Sequence, residues 1–244
     1  MRIAVVSDIH ANLSALEAVI ADLRTTTPDL IVHGGDLMSG GARPAEVIDL
    51  VREMRWPGVF GNTDEMLWAP ARVSEILHRA ELRHVRDLIL NYTIPATLSA
   101  IGGARLGWLQ ALQRRWSDGD LSVVHAGPDD VWQMTRPDAS DEELNDVFGS
   151  LRAKRVVYGH LHVPFVRRLP AFTLVNSGAV GQSFDGDPRA AYALIDGDRI
   201  EIRRVQYDVE VEVQLLLDSD DPFARSTAET LRTGRYVPLS TRGT

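Results

Sequence analysis

The 244-residue sequence contains no cysteine, which excludes a disulfide framework and is neutral about the cellular compartment. It also lacks any apolar run approaching the roughly 18 residues that a transmembrane helix needs. Met1 and Arg2 lead directly into a predicted strand, which leaves no room for a signal peptide. We therefore expect a cytoplasmic protein that is not inserted in a membrane.

The sequence also lacks an excess of basic residues, since its formal net charge is -8. A protein that binds nucleic acid is expected to carry a basic footprint, so no nucleic-acid surface is expected here. A nucleotide is still compatible with this charge, because bound metal ions invert the local field. The apolar content of 44% and the charged content of 25% are ordinary for a globular protein, and the length suffices for a substantial core.

Five short polar clusters, at 8–10, 35–36, 61–64, 125–127 and 159–162, each follow a short apolar run rich in β-branched residues. Such runs indicate buried strands. A site at the carboxyl ends of several strands gathers residues that are distant in sequence into one crevice. The gathered side chains are carboxylates, an amide and imidazoles, namely Asp8, His10, Asp36, Asn62, His125, His160 and His162. This mixture of donors suits Mn, Fe, Zn or Ni better than Ca or Mg.

Seven polar groups exceed the four ligands of one tetrahedral ion, but they suffice for two ions that share a carboxylate. A metal pair at roughly 3.5–4 Å binds both sides of a phosphate during an in-line displacement. The two-residue spacing of Asp8 and His10, and of His160 and His162, aims both side chains at one centre just past a strand end. The alternative, polar residues that serve the core or helix caps, suits a single histidine better than the whole cluster.

The order of these motifs resembles the calcineurin-like metallophosphoesterase superfamily, whose signature is D-x-H, G-D, G-N-H-D or a variant, a lone H, and G-H-x-H. The resemblance extends from Asp8 to about Tyr192, and residues 176–181 resemble a stretch of its small bacterial phosphodiesterase branch. It implies an α/β fold, a four-layer αββα sandwich of two mixed sheets with outer helices. It also implies a phosphoesterase in which a hydroxide that bridges two metal ions attacks phosphorus.

The resemblance assigns roles to individual residues. The ligands it implies for one ion are Asp8, His10 and His162. Those it implies for the other ion are Asn62, His125 and His160, with Asp36 as the bridging carboxylate. The cofactor would be two divalent ions, Mn before Fe, Zn or Ni. The expected catalytic residues are Asp36, Asn62 and Asp64, and the candidate substrate contacts are Asn12, Thr63 and Trp132.

Two departures from the family pattern affect the expected substrate. Thr63 stands where the family often has the histidine that protonates the leaving group, and a threonine hydroxyl does not titrate near neutral pH. Asp64 remains, but its usual partner imidazole is missing. The arginine that follows Gly-Asp in calcineurin-type protein phosphatases is also absent, and such a fork binds phosphate bidentately. A small phosphodiester or nucleotide with a good leaving group is therefore the expected substrate.

Other functions stay open at this point. A serine/threonine-type protein phosphatase and a dinucleoside polyphosphate hydrolase would share the metal motifs. The fold also serves as a non-catalytic scaffold in the eukaryotic retromer complex, although the complete ligand set argues against that role here. A nucleotide-binding sensor that hydrolyses slowly is a further alternative. The sequence does not indicate the oligomeric state.

Together with the resemblance, the secondary-structure pattern predicts a metallophosphoesterase domain at 1–207, with a helical insertion at about 64–116, and a C-terminal helical extension and tail at 208–244. Asn12 is a plausible N-cap for a helix that continues to Arg24, and Gly234 a plausible C-cap. Strands are predicted at 58–60, 155–159, 164–168, 171–176, 190–196 and 199–206, and further helices at 44–55 and 141–151. His33 is expected to be a hydrogen-bonded or core residue rather than a ligand.

Overall fold

The computed structural model describes residues 1–239. The strands of this part are β1 (Arg2–Val6), β2 (Leu30–His33), β3 (Arg115–Asp118), β4 (Leu121–Val124), β5 (Arg155–Tyr158), β6 (Phe165–Arg168), β7 (Thr173–Asn176), β8 (Ala190–Asp196) and β9 (Arg199–Val205). They form a 4-stranded sheet in the order β2-β1-β8-β9 and a 5-stranded sheet in the order β3-β4-β5-β7-β6. Both sheets are mixed, because β1 pairs parallel to β2 but antiparallel to β8, and β7 pairs parallel to β5 but antiparallel to β6.

The α-helices of the same part are α1 (Leu13–Thr26), α2 (Pro44–Glu53), α3 (Asn62–Glu65), α4 (Ala71–Ile76), α5 (Arg83–Leu88), α6 (Ile94–Gln110), α7 (Asp141–Phe148), α8 (Val209–Leu217) and α9 (Ala224–Thr233). The predicted caps are confirmed at two of them. The side chain of Asn12 accepts the Ala15 N–H at the start of α1, and Gly234 ends α9 with a φ of 61°. Within residues 1–239, no helix is both long and apolar enough to cross a membrane.

Strand periodicity sorts the core into layers. In β1, Ile3 and Val5 lie in the apolar cluster between the two sheets, whereas Ala4 and Val6 lie in the cluster beneath α1 and α2. On the far side of the second sheet, Val156 of β5 packs with Phe148 of α7. The arrangement is helix, sheet, sheet, helix. The predicted four-layer αββα sandwich is confirmed.

Two stretches differ from the predicted elements. Residues 58–60 do not form a full strand, because Gly58 and Val59 make only isolated bridges, to His33 and Gln113. Pro57 has no N–H to extend the pairing, and the chain enters α3 two residues after Phe60. The strand β3 begins at Arg115, inside the range assigned to the helical insertion, because residues 115–118 pair antiparallel with β4 across a tight turn at Gly119.

Helix α8 packs onto the first helix of the chain, and α9 packs on α8. Glu212 of α8 is 1% exposed, and its carboxylate accepts the Ser14 N–H at 2.8 Å. The same carboxylate binds the guanidinium of Arg43. These contacts connect α8 to the loop that follows β2. The division of the chain at residue 207 stays a prediction, and the tail beyond residue 239 lies outside the described residues.

Candidate metal centre

The loops that follow β1, β2, β4 and β5, with the start of α3, bring the seven predicted ligands together. Backbone hydrogen bonds connect the first two loops, because the Asp8 N–H donates to Gly35 O and the His10 N–H donates to Asp36 O, both at 3.0 Å. Five of the seven residues have a φ between 50° and 64°, namely Asp8, His10, Asp36, His160 and His162. Left-handed backbone is costly for residues with a Cβ, and such strain clusters at functional sites.

Two glycines of the motifs allow the carboxylates to approach the backbone. A Cβ on Gly61 would lie 2.0 Å from Asp36 Oδ1, and a Cβ on Gly159 would lie 2.2 Å from Asp8 Oδ2. Neither position tolerates a side chain, because the clashing atoms belong to buried carboxylates. The glycine of each motif is therefore required by the neighbouring aspartate.

The first group of ligand atoms comes from Asp8, His10 and His162, all of which are buried. His162 Nε2 lies 3.2 Å from His10 Nε2 and 3.2 Å from Asp8 Oδ1. His10 Nε2 lies 3.9 Å from Asp8 Oδ1. Ligands held at 2.0–2.1 Å by a tetrahedral ion are separated by roughly 3.3 Å, so these three atoms have the spacing of ligands around one ion.

The tautomers of these two histidines are set by backbone carbonyls. His10 Nδ1 donates to Ser39 O at 2.6 Å, and His162 Nδ1 donates to Gln182 O at 2.5 Å. A carbonyl oxygen only accepts, so each Nδ1 carries the proton and each Nε2 of a neutral ring carries a lone pair. When both rings are neutral, their two lone pairs face each other at 3.2 Å. A cation is the partner that such a pair of nitrogens fits.

The second group of ligand atoms surrounds Asn62. Its Oδ1 lies 2.9 Å from His125 Nε2 and 2.9 Å from His160 Nδ1. His125 is fully buried and donates from Nδ1 to Gly34 O at 2.8 Å, which directs its Nε2 into the site. Burial alone would lower the pKa of His125, but the carboxylates of Asp36 and Asp8 outweigh it and raise that pKa. His160 differs, because its Nδ1 points inward. The rings of His10, His125 and His162, which backbone carbonyls anchor, are oriented as metal-binding histidines usually are.

The carboxylate of Asp36 spans the two groups. Its Oδ2 lies 3.6 Å from His10 Nε2, and its Oδ1 lies 3.5 Å from His125 Nε2. Asp36 is 2% exposed. Asp8 also reaches both sides, since the Asp8, Asp36 and His125 ligand atoms lie within 4.8 Å of one another. One buried carboxylate therefore lies between the two sets of imidazoles.

Electrostatics in the cluster favour added positive charge. Burial alone would raise the pKa of Asp8, but the nearby imidazoles, His162 foremost, outweigh it and hold that pKa well below its usual range. Burial and the neighbouring His162 lower the pKa of His10, and burial together with His125 lowers the pKa of His160 to about 4. Both rings are therefore neutral near pH 7 and have a lone pair available for a metal ion.

Asp64 lies beside the cluster but faces the backbone. Its carboxylate accepts the N–H groups of Asp36 at 2.9 Å, Leu37 at 3.0 Å and Gly61 at 2.8 Å. It is fully buried, and burial together with the charge of Asp36 raises its pKa to about 7. These contacts hold the loop of Asp36 against the loop of Asn62.

The three predicted substrate contacts occupy different environments. Asn12 is 1% exposed, and its amide bonds Ala15 N, Gly181 O and Tyr207 Oη, which argues against a substrate contact. Thr63 is half-buried beside Asp36, whose Oδ1 accepts its N–H at 2.9 Å. The indole N–H of Trp132 donates to Glu65 at 2.8 Å.

Two side chains next to the cluster carry no signal in the sequence motifs. The ring of Phe184 stacks on that of His162 with centroids 4.2 Å apart and an interplanar angle of 18°. The sulfur of Met134 lies 3.0 Å from His160 Nε2, although Met134 is 68% exposed. Neither residue belongs to a spaced motif, so only the tertiary structure reveals these contacts.

His33, expected to be a core residue, is fully buried against Trp108.

Comparison with known proteins agrees with this geometry. A family model described as the calcineurin-like phosphoesterase superfamily domain matches residues 1–199. The chain belongs to the calcineurin-like phosphoesterase superfamily, and it is a metal-dependent phosphoric ester hydrolase by class.

Three similar proteins extend over most of the chain. An uncharacterized protein of Methanocaldococcus jannaschii is 30% identical over 234 residues, which are 85% of this chain and 88% of the relative. Phosphodiesterase YfcE of Escherichia coli is 24% identical over 215 residues, which are 83% of this chain and 91% of YfcE. The crystal structure of a metallophosphoesterase from Sphaerobacter thermophilus has a TM-score of 0.78 and 29% identity, and covers 96% of this chain and 100% of its own.

Proposed function

We propose that this chain is a dinuclear metal-dependent phosphodiesterase that acts on small phosphodiesters or nucleotides. The observation that carries the proposal is the pair of Nε2 atoms of His10 and His162, which lie 3.2 Å apart while each Nδ1 donates to a backbone carbonyl. Neutral rings in this arrangement repel each other unless a cation lies between the nitrogens. The name of the Escherichia coli relative supports the choice of a phosphodiester.

The distances between ligand atoms divide the proposed ligands into two groups, one for each ion. One ion would be held by Asp8, His10 and His162, the other by Asn62, His125 and His160, and Asp36 would bind both. The donor set suits Mn, Fe, Zn or Ni, and of these we propose Mn. When bound, two such ions lower the pKa of a shared water and neutralise charge on the phosphate oxygens.

The protein's own groups hold this centre rigid. Backbone carbonyls fix the rings of His10, His125 and His162, so little reorganisation is needed when a phosphate binds. Asp64 fixes the loop that carries Asp36. Thr63 supplies no group that titrates near neutral pH, so departure of the leaving group depends on its own low basicity. Esters with good leaving groups should react fastest.

The first arginine after Asp36 supports a diester over a monoester. This residue, Arg43, binds Ser14 at 2.7 Å and forms an ion pair with the buried carboxylate of Glu212. Its guanidinium is therefore engaged in packing α8 and is not available as a phosphate fork. A dedicated protein phosphatase is disfavoured by this arrangement. A dinucleoside polyphosphate hydrolase stays an alternative, and the cytoplasmic location stays a prediction.

Metal-free protein, prepared with a chelator, tests the proposal when Mn, Ni, Zn or Mg is added back. We expect hydrolysis of bis(p-nitrophenyl) phosphate to return with one of the first three ions, at two bound ions per chain by mass spectrometry. The monoester p-nitrophenyl phosphate should be the poorer substrate. Asp36→Asn should abolish hydrolysis and lower metal content, because two cations without a shared carboxylate repel each other. Wild-type turnover of this variant would refute the dinuclear proposal, as would a folded scaffold that binds metal without hydrolysing any ester.

A further inference from the structure

A chain of aromatic rings leads from the candidate metal centre to the C-terminal segment. Phe184 stacks on His162, as described above. Tyr236 in turn meets the Phe184 ring nearly edge to face, with centroids 5.3 Å apart and an interplanar angle of 68°. Tyr236 is 58% exposed. A phenol with an open surface therefore lies two ring contacts from the ligand atoms, in a segment beyond the region that the family model covers.

Backbone hydrogen bonds fix the ring of Tyr236 relative to the candidate metal centre. The Phe184 N–H donates to His162 O at 3.1 Å, which connects its loop directly to a candidate ligand. The Gly186 N–H of the same loop donates to Gly234 O at 2.7 Å. The Val237 N–H donates to the Thr230 hydroxyl at 3.1 Å, one residue past Tyr236. The position of Tyr236 is set by contacts on both sides.

Arg235 adds an exposed cation at the same edge. A Cβ on Gly186 would lie 3.2 Å from a guanidinium nitrogen of Arg235, so the guanidinium lies against this loop. The acids of the loop are neutralised by other residues, Asp185 by Arg204 and Asp187 by Arg189. Arg235 itself forms no ion pair with a carboxylate in the described part of the chain.

We propose that Tyr236 and Arg235 bind the nucleoside part of the substrate, with the base stacked on the Tyr236 ring and Arg235 beside the sugar and phosphate. This inference rests on the proposed phosphodiesterase function. A phosphate held at the metal centre leaves its esterified group at the rim, where an exposed ring offers a platform that any base can use. Trp132 is less suited to this role, because Glu65 engages its indole N–H and its ring packs on the core. The substrate class is thus a phosphodiester with a nucleoside on at least one side.

Two ligands that differ only by the base isolate this interaction. Binding of adenosine 5′-monophosphate and of ribose 5-phosphate to the Mn-loaded protein would be measured by titration calorimetry. We expect the wild type to bind the nucleotide more tightly, by about 10-fold, because stacking on an aromatic side chain is typically worth that much. Tyr236→Ala should remove most of this difference, and Tyr236→Phe should retain it. Melting temperatures would establish that each variant is folded.

Arg235 is tested by its effect on both ligands together. Arg235→Ala should weaken the nucleotide and the sugar phosphate equally, by about two- to five-fold, as expected for an exposed ion pair. Arg225→Ala, at an exposed arginine near the start of α9, is the matched control and should weaken neither. A loss of affinity in both variants would attribute the effect to overall charge and would count against a binding role for Arg235.

The outcomes separate this inference from the function on which it rests. Equal affinity of the wild type for the two ligands would overturn the inference, and so would a base preference that survives Tyr236→Ala. Either result is compatible with hydrolysis of bis(p-nitrophenyl) phosphate, so the phosphodiesterase proposal would stand. Conversely, a base preference that depends on Tyr236 in a protein that hydrolyses no ester would leave the nucleoside site in place and refute the enzyme.

Discussion

The N–H of Asp36 donates a 2.9 Å hydrogen bond to the carboxylate of Asp64, so two buried acids share one loop junction. The carboxylate of Asp64 holds Asp36 in position through the backbone N–H of Asp36 and not through the Asp36 side chain. Asp36 can therefore keep both carboxylate oxygens directed at the two groups of imidazoles. We infer that the two aspartates have separate tasks, with Asp36 as a metal ligand and Asp64 as its support, although both belong to conspicuous sequence motifs.

Replacement of Asp64 tests this division. Asp64→Asn leaves one acceptor oxygen for three N–H donors, so we expect a loss of about 1–3 kcal/mol in the free energy of unfolding. A displaced Asp36 should also weaken metal binding by about 10- to 100-fold, a typical effect of losing a residue that orients ligands. Metal titration of the folded variant measures this loss. Asp146→Asn, an exposed aspartate on α7, is the control, and unchanged metal affinity in Asp64→Asn would contradict the positioning role.

His125 tests the second group of ligands, because it belongs to no spaced pair and is fully buried. His125→Ala should lower the number of bound ions per chain and reduce the rate per folded molecule by orders of magnitude. A histidine that only filled the core would change the melting temperature and leave that rate intact. Both quantities should be measured on the same preparation. His78→Ala removes an exposed imidazole and should change neither.

His33 predicts a pH dependence of stability. Burial lowers its pKa from 6.5 to about 4, and neither ring nitrogen makes a well-formed hydrogen bond within residues 1–239. The unfolded chain binds a proton here between these two values and the folded chain does not, so stability falls as the pH drops from 6.5 towards 4. The shift corresponds to about 3 kcal/mol.

Urea unfolding of chelator-treated protein at pH 7 and pH 5 measures this contribution. The wild type should lose more stability between the two values than His33→Leu, which has no group to titrate. The other buried histidines are present in both proteins, so their contributions cancel in the comparison. Equal losses in the two proteins would mean that His33 is not held neutral in the folded state.

Much of the fold and of the candidate site could be predicted from local pattern. The run before Asp8 and the run before His160 became β1 and β5, because apolar β-branched residues suit strands that are covered on both faces. Within each sheet the motifs came together because parallel neighbours, β1 with β2 and β4 with β5, end at the same edge.

The features that the sequence did not reveal depend on contacts between distant segments. Residues 58–60 fall short of a strand because their partners are single residues of β2 and of the segment before β3. The supporting role of Asp64 depends on three N–H groups from two loops. The stacking of Phe184 between His162 and Tyr236 joins residues from separate loops. No spacing rule marks such contacts.

The final prediction concerns Thr63, whose hydroxyl oxygen is buried without a hydrogen-bond partner among residues 1–239. Departure of a phenolate needs little proton donation, whereas an alkoxide needs an acid, and positioned acids contribute roughly 10²–10⁴-fold. The wild-type kcat/KM should therefore depend steeply on the pKa of the leaving group. Thr63→His should raise the rates of alkyl esters selectively, by about 10-fold.

We expect an effect of Thr63→His below that range because Asp64 cannot orient the new imidazole. The carboxylate of Asp64, which the sequence suggested as a partner, is engaged by three backbone N–H groups. A series of substituted aryl and alkyl diesters, assayed with the wild type, Thr63→His and the control Thr63→Ser, gives the slope against leaving-group pKa for each. A shallow slope in the wild type would show that another group already protonates the leaving oxygen. The assignment of residue 63 as the missing acid would then be wrong.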